Sequence, residues 1–262
     1  MAELRKNLVK HKLEKGGIVS VPMGPATPEM IEHMCQLDFD AMWIEAEHGP
    51  IDFADIPDFT RACDLWGKTS IVRVNKVDYG LIYRTFDCGA MGVAVPHVNT
   101  AEETREVVKA SKFAPMGLRG SYTSRQGIGV KDYMAKANDE TLVIILIEDI
   151  IAVRNIDSIL KVDGIDVFFV APGDLAQTMG YAGQYNHPKV TETVEKTLAK
   201  IVASGRVAGT MVNDATVEKY VKMGVRFLSV AWMPWVNAGG QAYLDRVNAA
   251  AKAAKKPAAR KK

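Results

Sequence analysis

Leu142-Val-Ile-Ile-Leu-Ile-Glu148-Asp149 and, one helical segment later, Val167-Phe-Phe-Val-Ala-Pro-Gly-Asp174-Leu175 decide how this chain folds. Each opens as a continuous apolar run of strand length, and such runs suit strands buried on both faces. The segment between them has the length of a crossover helix. The two strands are therefore parallel and finish on the same edge of one sheet. Glu148 and Asp174 then end neighbouring strands on that edge. Two carboxylates with no Cys or His beside them form a hard oxygen site suited to Mg2+ or Mn2+. Either acid alone reads better as a helix cap or an arginine partner, whereas the pair favours the metal.

The same alternation extends in both directions. Toward the N-terminus, strands are expected at Gly16–Met23, Ala41–Ile44, Thr69–Val74 and Gly92–Pro96. Between them lie helices at Pro28–Leu37, with Thr27 as N-cap, and at Phe53–Trp66, Tyr79–Cys88 and Ala101–Ser111. Toward the C-terminus come a short helical piece, a helix Pro188–Ala203, a strand Ala208–Val212 and a helix Ala215–Met223. A strand Phe227–Ala231 and a last helix from about Ala238 to Ala254 close the series. Eight βα units with no break in composition describe an α/β fold, a (β/α)8 TIM barrel, as one domain over 1–254. The remaining basic tail, 255–262, reads as a solvated end. Pro115 to Asn138 is longer than most βα connections and rich in Gly, Arg and Tyr, and is expected to be a functional loop.

Composition narrows the function. The chain has 33 basic and 31 acidic residues, which argues against nucleic acid as the main partner. Cys35, Cys63 and Cys88 lack metal-ligand spacing and fit a reducing compartment. Met1 to Lys15 mixes charges without the apolar run of a signal peptide, and no segment reaches the ~20 apolar residues of a membrane span. A soluble cytoplasmic protein is expected.

Barrel sites lie at the C-terminal ends of strands. The polar residues there are Glu45, Glu47, His48, Arg73, Glu148, Asp149 and Asp174. A 2-oxo acid can chelate a metal on Glu148 and Asp174 through its carboxylate and keto oxygens, with the metal as Lewis acid. The helix after the sixth strand opens at Gly173-Asp174, where free amides favour the substrate carboxylate and Gly173 allows close approach. Arg73 is placed to hold the oxyanion formed next to the ketone. His48 is the candidate base or acid, with Glu45 orienting its ring. His97, after Pro96, is a weaker candidate, and His11, His33 and His187 read as surface or helix-end residues. Lys76 lies past the third strand, outside the position of a Schiff-base lysine. Neither a Gly-x-Gly-x-x-Gly nor a P-loop pattern is present, so no nucleotide cofactor is expected.

Glu47-His-Gly-Pro50 preceded by an acid, Arg73-Val74, Asp87-Cys-Gly-Ala90 with Val95-Pro96, Leu118-Arg-Gly120, Ile147-Glu148 and Pro172-Gly-Asp174-Leu175 occur in one order. Together they resemble the HpcH/HpaI aldolases, a likeness running from about Gly17 to Tyr243. The resemblance implies a pyruvate-type TIM barrel and a metal-dependent class II pyruvate aldolase, such as 4-hydroxy-2-oxoheptanedioate or 2-dehydro-3-deoxyglucarate aldolase. By resemblance Glu148 and Asp174 hold a divalent cation (Mg2+, Mn2+ or Co2+), and Arg73 stabilises the enolate. His48 with its acidic neighbour handles the proton, and the amides of Gly173 and Asp174 take the carboxylate. A homo-oligomer is implied as well, commonly a hexamer whose last helix packs on a neighbouring subunit. Trp232, Pro234 and Trp235, beside an Ala-rich helix, point the same way.

The departures fall on specificity. Glu45 stands where the family often has Asp, Leu146 where it often has Gln, Ala171 where the Gly-Pro-x-Asp-Leu pattern begins, and Ala231-Trp-Met233 where it has Gly-x-Asp. The expected reaction is cleavage of a 4-hydroxy-2-oxo acid to pyruvate, or a close 2-oxo acid, and an aldehyde. The alternatives are a related decarboxylase or carbon–carbon bond-forming synthase, or a barrel that binds a 2-oxo acid without turnover. The partners are small molecules, with neither nucleic acid nor membrane.

Overall fold

The sheet is built from eight parallel strands, β1 (Val19–Met23), β2 (Ala41–Glu45), β3 (Thr69–Arg73), β4 (Gly92–Val95), β5 (Leu142–Ile147), β6 (Val167–Val170), β7 (Ala208–Val212) and β8 (Phe227–Ala231). The computed structural model describes residues 2–254, so the tail expected over 255–262 lies outside the described residues. Strands pair in sequence from β2 to β8, and β8 pairs with β1. The seam between β1 and β2 is stitched through Ser20 and Asp40. The Asp40 amide donates to the Ser20 carbonyl at 3.1 Å, and the Ser20 amide donates to the Asp40 carboxylate at 2.9 Å. The result is a nearly closed (β/α)8 barrel.

Side chains alternate across each strand, and β5 shows why its run carries no polar residue. Leu142, Ile144 and Leu146 pack inside the barrel with Trp43, Ile71, Phe169 and Phe227. Val143, Ile145 and Ile147 pack outside, against Ile156, Ile159, Leu198 and Ile201 of the surrounding helices. Local signals set the helix ends. The Thr27 hydroxyl accepts from the Met30 amide at 3.3 Å to start α2 (Pro28–Cys35), and Thr100 and Glu103 form a reciprocal cap on α5 (Ala101–Ser111).

Three features differ from the sequence expectation. An extra helix, α1 (Leu8–Glu14), inserts Val9 and Leu13 into the interior cluster and so closes the N-terminal end of the barrel. The stretch from Pro115 follows α5 and precedes β5, which makes it an αβ connection at the N-terminal face, opposite the C-terminal ends of the strands. It is ordered by its arginines: Arg119 pairs with Asp87 at 3.0 Å between the Phe86 and Phe113 rings, and Arg125 pairs with Asp64 at 2.5 Å. It ends in a helix, α6 (Tyr133–Glu140). The last helix, α11 (Met233–Ala254), starts directly after β8 and buries none of its 22 residues. The others are α3 (Ile56–Leu65), α4 (Tyr79–Asp87), α7 (Ile150–Ile159), α8 (Pro172–Thr178), α9 (Pro188–Ala203) and α10 (Val217–Lys222). No helix among the described residues is long and apolar enough to cross a membrane.

Candidate active site

Alternation carries the inward face of each strand up to the C-terminal mouth. Trp43 leads to Glu45, Ile71 to Arg73 and Leu146 to Glu148, while Val21 leads to Met23, Phe169 to Ala171 and Phe227 to Ala231. A Cβ at Gly209 would touch Phe169, Val167 and Phe227 inside the barrel, so Met211 also belongs to the inward layer. That layer is charged on β2, β3 and β5 and apolar on β6, β7, β8 and β1.

On the charged side, Glu45 and Arg73 are register partners. Arg73 Nε donates to Glu45 Oε2 at 2.7 Å, and Arg73 Nη1 lies 3.1 Å from Glu47 Oε2. The second contact has no aligned hydrogen bond, and Glu47 Oε2 is buried without one. Arg73 Nη2 donates to no acceptor among the described residues. Burial pushes the Glu47 carboxyl above its ordinary pKa, against the pull of Arg73.

Glu148 is fully buried. One oxygen, Oε1, accepts the His97 amide at 2.8 Å; the other, Oε2, has no partner. Burial lifts its pKa to about 7, opposed by the His97 amide and ring and reinforced by the charges of Asp174 and Glu47. Asp174 sits half-buried in the first turn of α8, after Pro172, and Gly173 beside it is exposed with open space around its Cα. Among the described residues no group of three or more His, Cys, Asp or Glu is arranged to hold a metal ion. The residues nevertheless fit a divalent cation on two carboxylates. Glu148 Oε2 is buried and unpartnered, Asp174 adds a second negative charge, and both donors are hard oxygens.

The histidines are placed differently from each other. His48 is exposed; its amide donates to Glu45 Oε1 at 3.2 Å, and its ring Nε2 lies 3.8 Å from Glu47 Oε2. The Glu45 carboxylate is taken up by Arg73, by Trp43 Nε1 at 3.2 Å and by the amides of Glu47 and His48. The acid beside the His48 ring is therefore Glu47 rather than Glu45. His97 follows β4 with φ 52°. Its Nδ1 lies 3.0 Å from Asp149 Oδ2 and 3.7 Å from Glu148 Oε1, and Nε2 lies 3.8 Å from Glu47 Oε1. Burial pulls its pKa down, but the bond to Asp149 and the charges of Glu148, Asp149 and Glu47 outweigh that and raise it. Asn99 Nδ2 also donates to Asp149 Oδ2, at 3.1 Å. Glu47 and Asp149 appear in the sequence as strand-end acids. The central position of His97 does not, because it depends on a left-handed backbone turn.

The comparisons with known proteins point one way. The family model described as HpcH/HpaI aldolase/citrate lyase matches residues 23–232. A 2-keto-3-deoxy-L-rhamnonate aldolase of Klebsiella pneumoniae subsp. pneumoniae is 34% identical over 237 residues, 88% of each chain. A hydroxypyruvate/pyruvate aldolase of Cupriavidus necator is 35% identical over 209 residues, 78% of each chain. Among solved structures, an HpcH/HpaI aldolase/citrate lyase family protein from Burkholderia cenocepacia superposes with a TM-score of 0.87 at 26% identity, covering 93% of this chain and 100% of its own.

Proposed function

Because the chain belongs to the HpcH/HpaI aldolase/citrate lyase family, we propose that its barrel mouth reversibly cleaves a 4-hydroxy-2-oxo acid into pyruvate, or a close 2-oxo acid, and an aldehyde. The protein is a carbon–carbon lyase of the aldolase type. One observation carries the reading of the site: a fully buried Glu148 with an unpartnered oxygen, beside Asp174 and on the same side of the mouth as an arginine with a free terminal nitrogen.

Glu148 and Asp174 hold a divalent cation, Mg2+, Mn2+ or Co2+, which when bound supplies Lewis-acid stabilisation of the keto oxygen. The first-turn amides at Gly173 and Asp174 lack intrahelical acceptors and take the substrate carboxylate. His48, in contact with the Glu47 carboxylate, removes the proton of the C4 hydroxyl. The C3–C4 bond then breaks, the aldehyde leaves, and the electron pair remains as the enolate of the 2-oxo acid. Arg73 meets that oxyanion, held in orientation by Glu45 and Glu47. Protonation at C3 completes the reaction.

Three further features belong to the same proposal. A helix of 22 residues with none buried suits burial against another copy, so α11 is read as the contact of a homo-oligomer, a hexamer by family resemblance. Three unpaired cysteines suit the cytoplasm, and 1–254 is taken as one domain.

The test is pyruvate release from a panel of 4-hydroxy-2-oxo acids. Activity should vanish in EDTA and return with Mg2+, Mn2+ or Co2+. Glu148→Ala should keep the circular dichroism spectrum and fall to the background rate. Near-parental turnover by that variant after EDTA treatment would overturn the assignment.

A further inference from the structure

The strands that face Arg73 across the mouth end without charge. Their last inward residues are Ala171 on β6, Met211 on β7, Ala231 on β8 and Met23 on β1. The residues that follow directly, 172–178, 213–216, 232–235 and 24–29, contain no Lys, Arg or His. Substrates with a distal phosphate or carboxylate need a cation there, and barrels that bind phosphate build its site around these last strands.

What stands there instead is soft apolar surface. Met23 packs on the interior core, with its Sδ 3.7 Å from the buried Ser229 hydroxyl. Met211 is 37% exposed above that core. Trp232 is nearly buried, and its indole lies on the backbone of Gly24. A Cβ at Gly24 would stand 2.5 Å from Trp232 Nε1, and Gly24 has φ +154°, so the ring needs glycine beneath it. Methionine thioethers and an indole form an adaptable surface for hydrocarbon chains and a poor one for anions, which would lose hydration without gaining a partner.

We propose that this side of the mouth is the acceptor subsite, and that it takes uncharged aldehydes with apolar chains through Met23, Met211 and Trp232. The inference rests on the aldol reading of the charged side. In the addition direction, C3 of the enolate bonds to the aldehyde carbon, the carbonyl pair moves to oxygen, and the proton held by the base returns to form the C4 hydroxyl.

The experiment uses the full chain with Mg2+, pyruvate and a chain-length series of propanal, butanal and pentanal, with succinic semialdehyde as the carboxylated match for butanal. Adducts are quantified by mass spectrometry. kcat/KM should rise about fourfold per methylene, and butanal should exceed succinic semialdehyde by about tenfold or more. Met211→Arg should reverse that last ratio, and Trp232→Ala should flatten the chain-length increment. Both are ratios within one preparation, so a partly folded variant still reports, and Trp232→Ala stands if the arginine variant does not fold. A flat series, or a parent enzyme that prefers the carboxylated aldehyde, overturns the subsite. Exchange of pyruvate methyl protons in D2O, followed by NMR, separates the two levels. Exchange with a flat series removes only the subsite, whereas absence of exchange removes the aldol reading beneath it.

Discussion

The two sides of the barrel mouth use one scaffold and opposite chemistry. From β2 to β5 the inward layer holds charges that constrain each other: Arg73 between Glu45 and Glu47, and Glu148 between the His97 amide and the field of Asp174. From β6 round to β1 the same layer holds Ala171, Met211, Ala231 and Met23. The strands run parallel from β2 round to β8 and on to β1, so the backbone does not make the difference. A single side chain at the end of each strand does. Buried, under-paired charge lowers stability wherever it is placed. Confining it to one side leaves the other free to contribute apolar surface.

The largest break in this contrast comes from Arg73. Its role as oxyanion donor predicts that Arg73→Ala lowers kcat about a hundredfold to a thousandfold, or ~3–4 kcal/mol, while pyruvate still binds. The structure adds a second consequence. Without the guanidinium, Glu45 loses its ion-pair partner and Glu47 keeps only the His48 and His97 rings, so the melting temperature should fall as well. Arg73→Lys keeps the charge but loses the planar fork, and should recover stability more fully than rate. Steady-state kinetics at saturating Mg2+, with a melting curve alongside, separate the two effects. A kcat within about threefold of the parent, beside a lowered melting point, would leave Arg73 as a counter-ion only.

The fold was legible because its signals are local. Apolar runs, βα alternation and caps such as Thr27 each show within a dozen residues, and the alternation alone puts Glu148 and Asp174 on one edge. The misread segments depend on distant partners. α1 shows only two buried positions, Val9 and Leu13, in a charged segment, too few to announce a plug. Arg119 and Arg125 look like loop residues until Asp87 and Asp64, far back in the chain, neutralise them. In the site, the expected contact of Glu45 with the His48 ring gives way to a register neighbour, since Arg73 lies directly opposite Glu45 on the next strand. That pairing could have been read from strand register; the backbone turn at His97 could not.

A smaller effect sharpens the contrast through pH. Without a cation, the Glu148 carboxyl titrates at about 7 in the folded protein, against an ordinary value of 4.5, chiefly because of burial. Between those values the folded state binds more protons than the unfolded one. Stability is therefore full below 4.5 and is lost as pH rises through 7, by a contribution of order 3 kcal/mol at most. Urea melts in EDTA from about pH 5 to 8 should show this decline in the parent and a flatter profile in Glu148→Gln. Equal slopes in the two proteins would mean that the buried carboxyl is already charged at the acid end. The apolar side holds no comparable group, so Met211→Leu should leave the parent slope unchanged.

The smallest expected effect asks whether His97 belongs to the chemistry or only to the architecture of the charged side. Its amide holds Glu148, and its ring touches Asp149. Its φ of 52° is a conformation that most side chains resist by roughly 1–2 kcal/mol and that glycine and asparagine adopt readily. Three substitutions divide these contributions. His97→Gly relaxes the backbone and removes the ring, His97→Asn keeps a polar side chain in a tolerated conformation, and His97→Ala removes the ring while retaining the strain. All three keep the amide that Glu148 accepts. If the ring only fills space, the glycine and asparagine variants should match the parent in kcat, and alanine should lose stability alone. If the ring's positive charge offsets Glu47, Glu148 and Asp149, all three should lose a similar factor in rate, about tenfold for a group acting through its neighbours, whatever their melting temperatures. The second pattern is expected, because three carboxylates converge on this one imidazole. A glycine variant with parental kcat would move His97 out of the active site and leave His48 as the sole proton carrier.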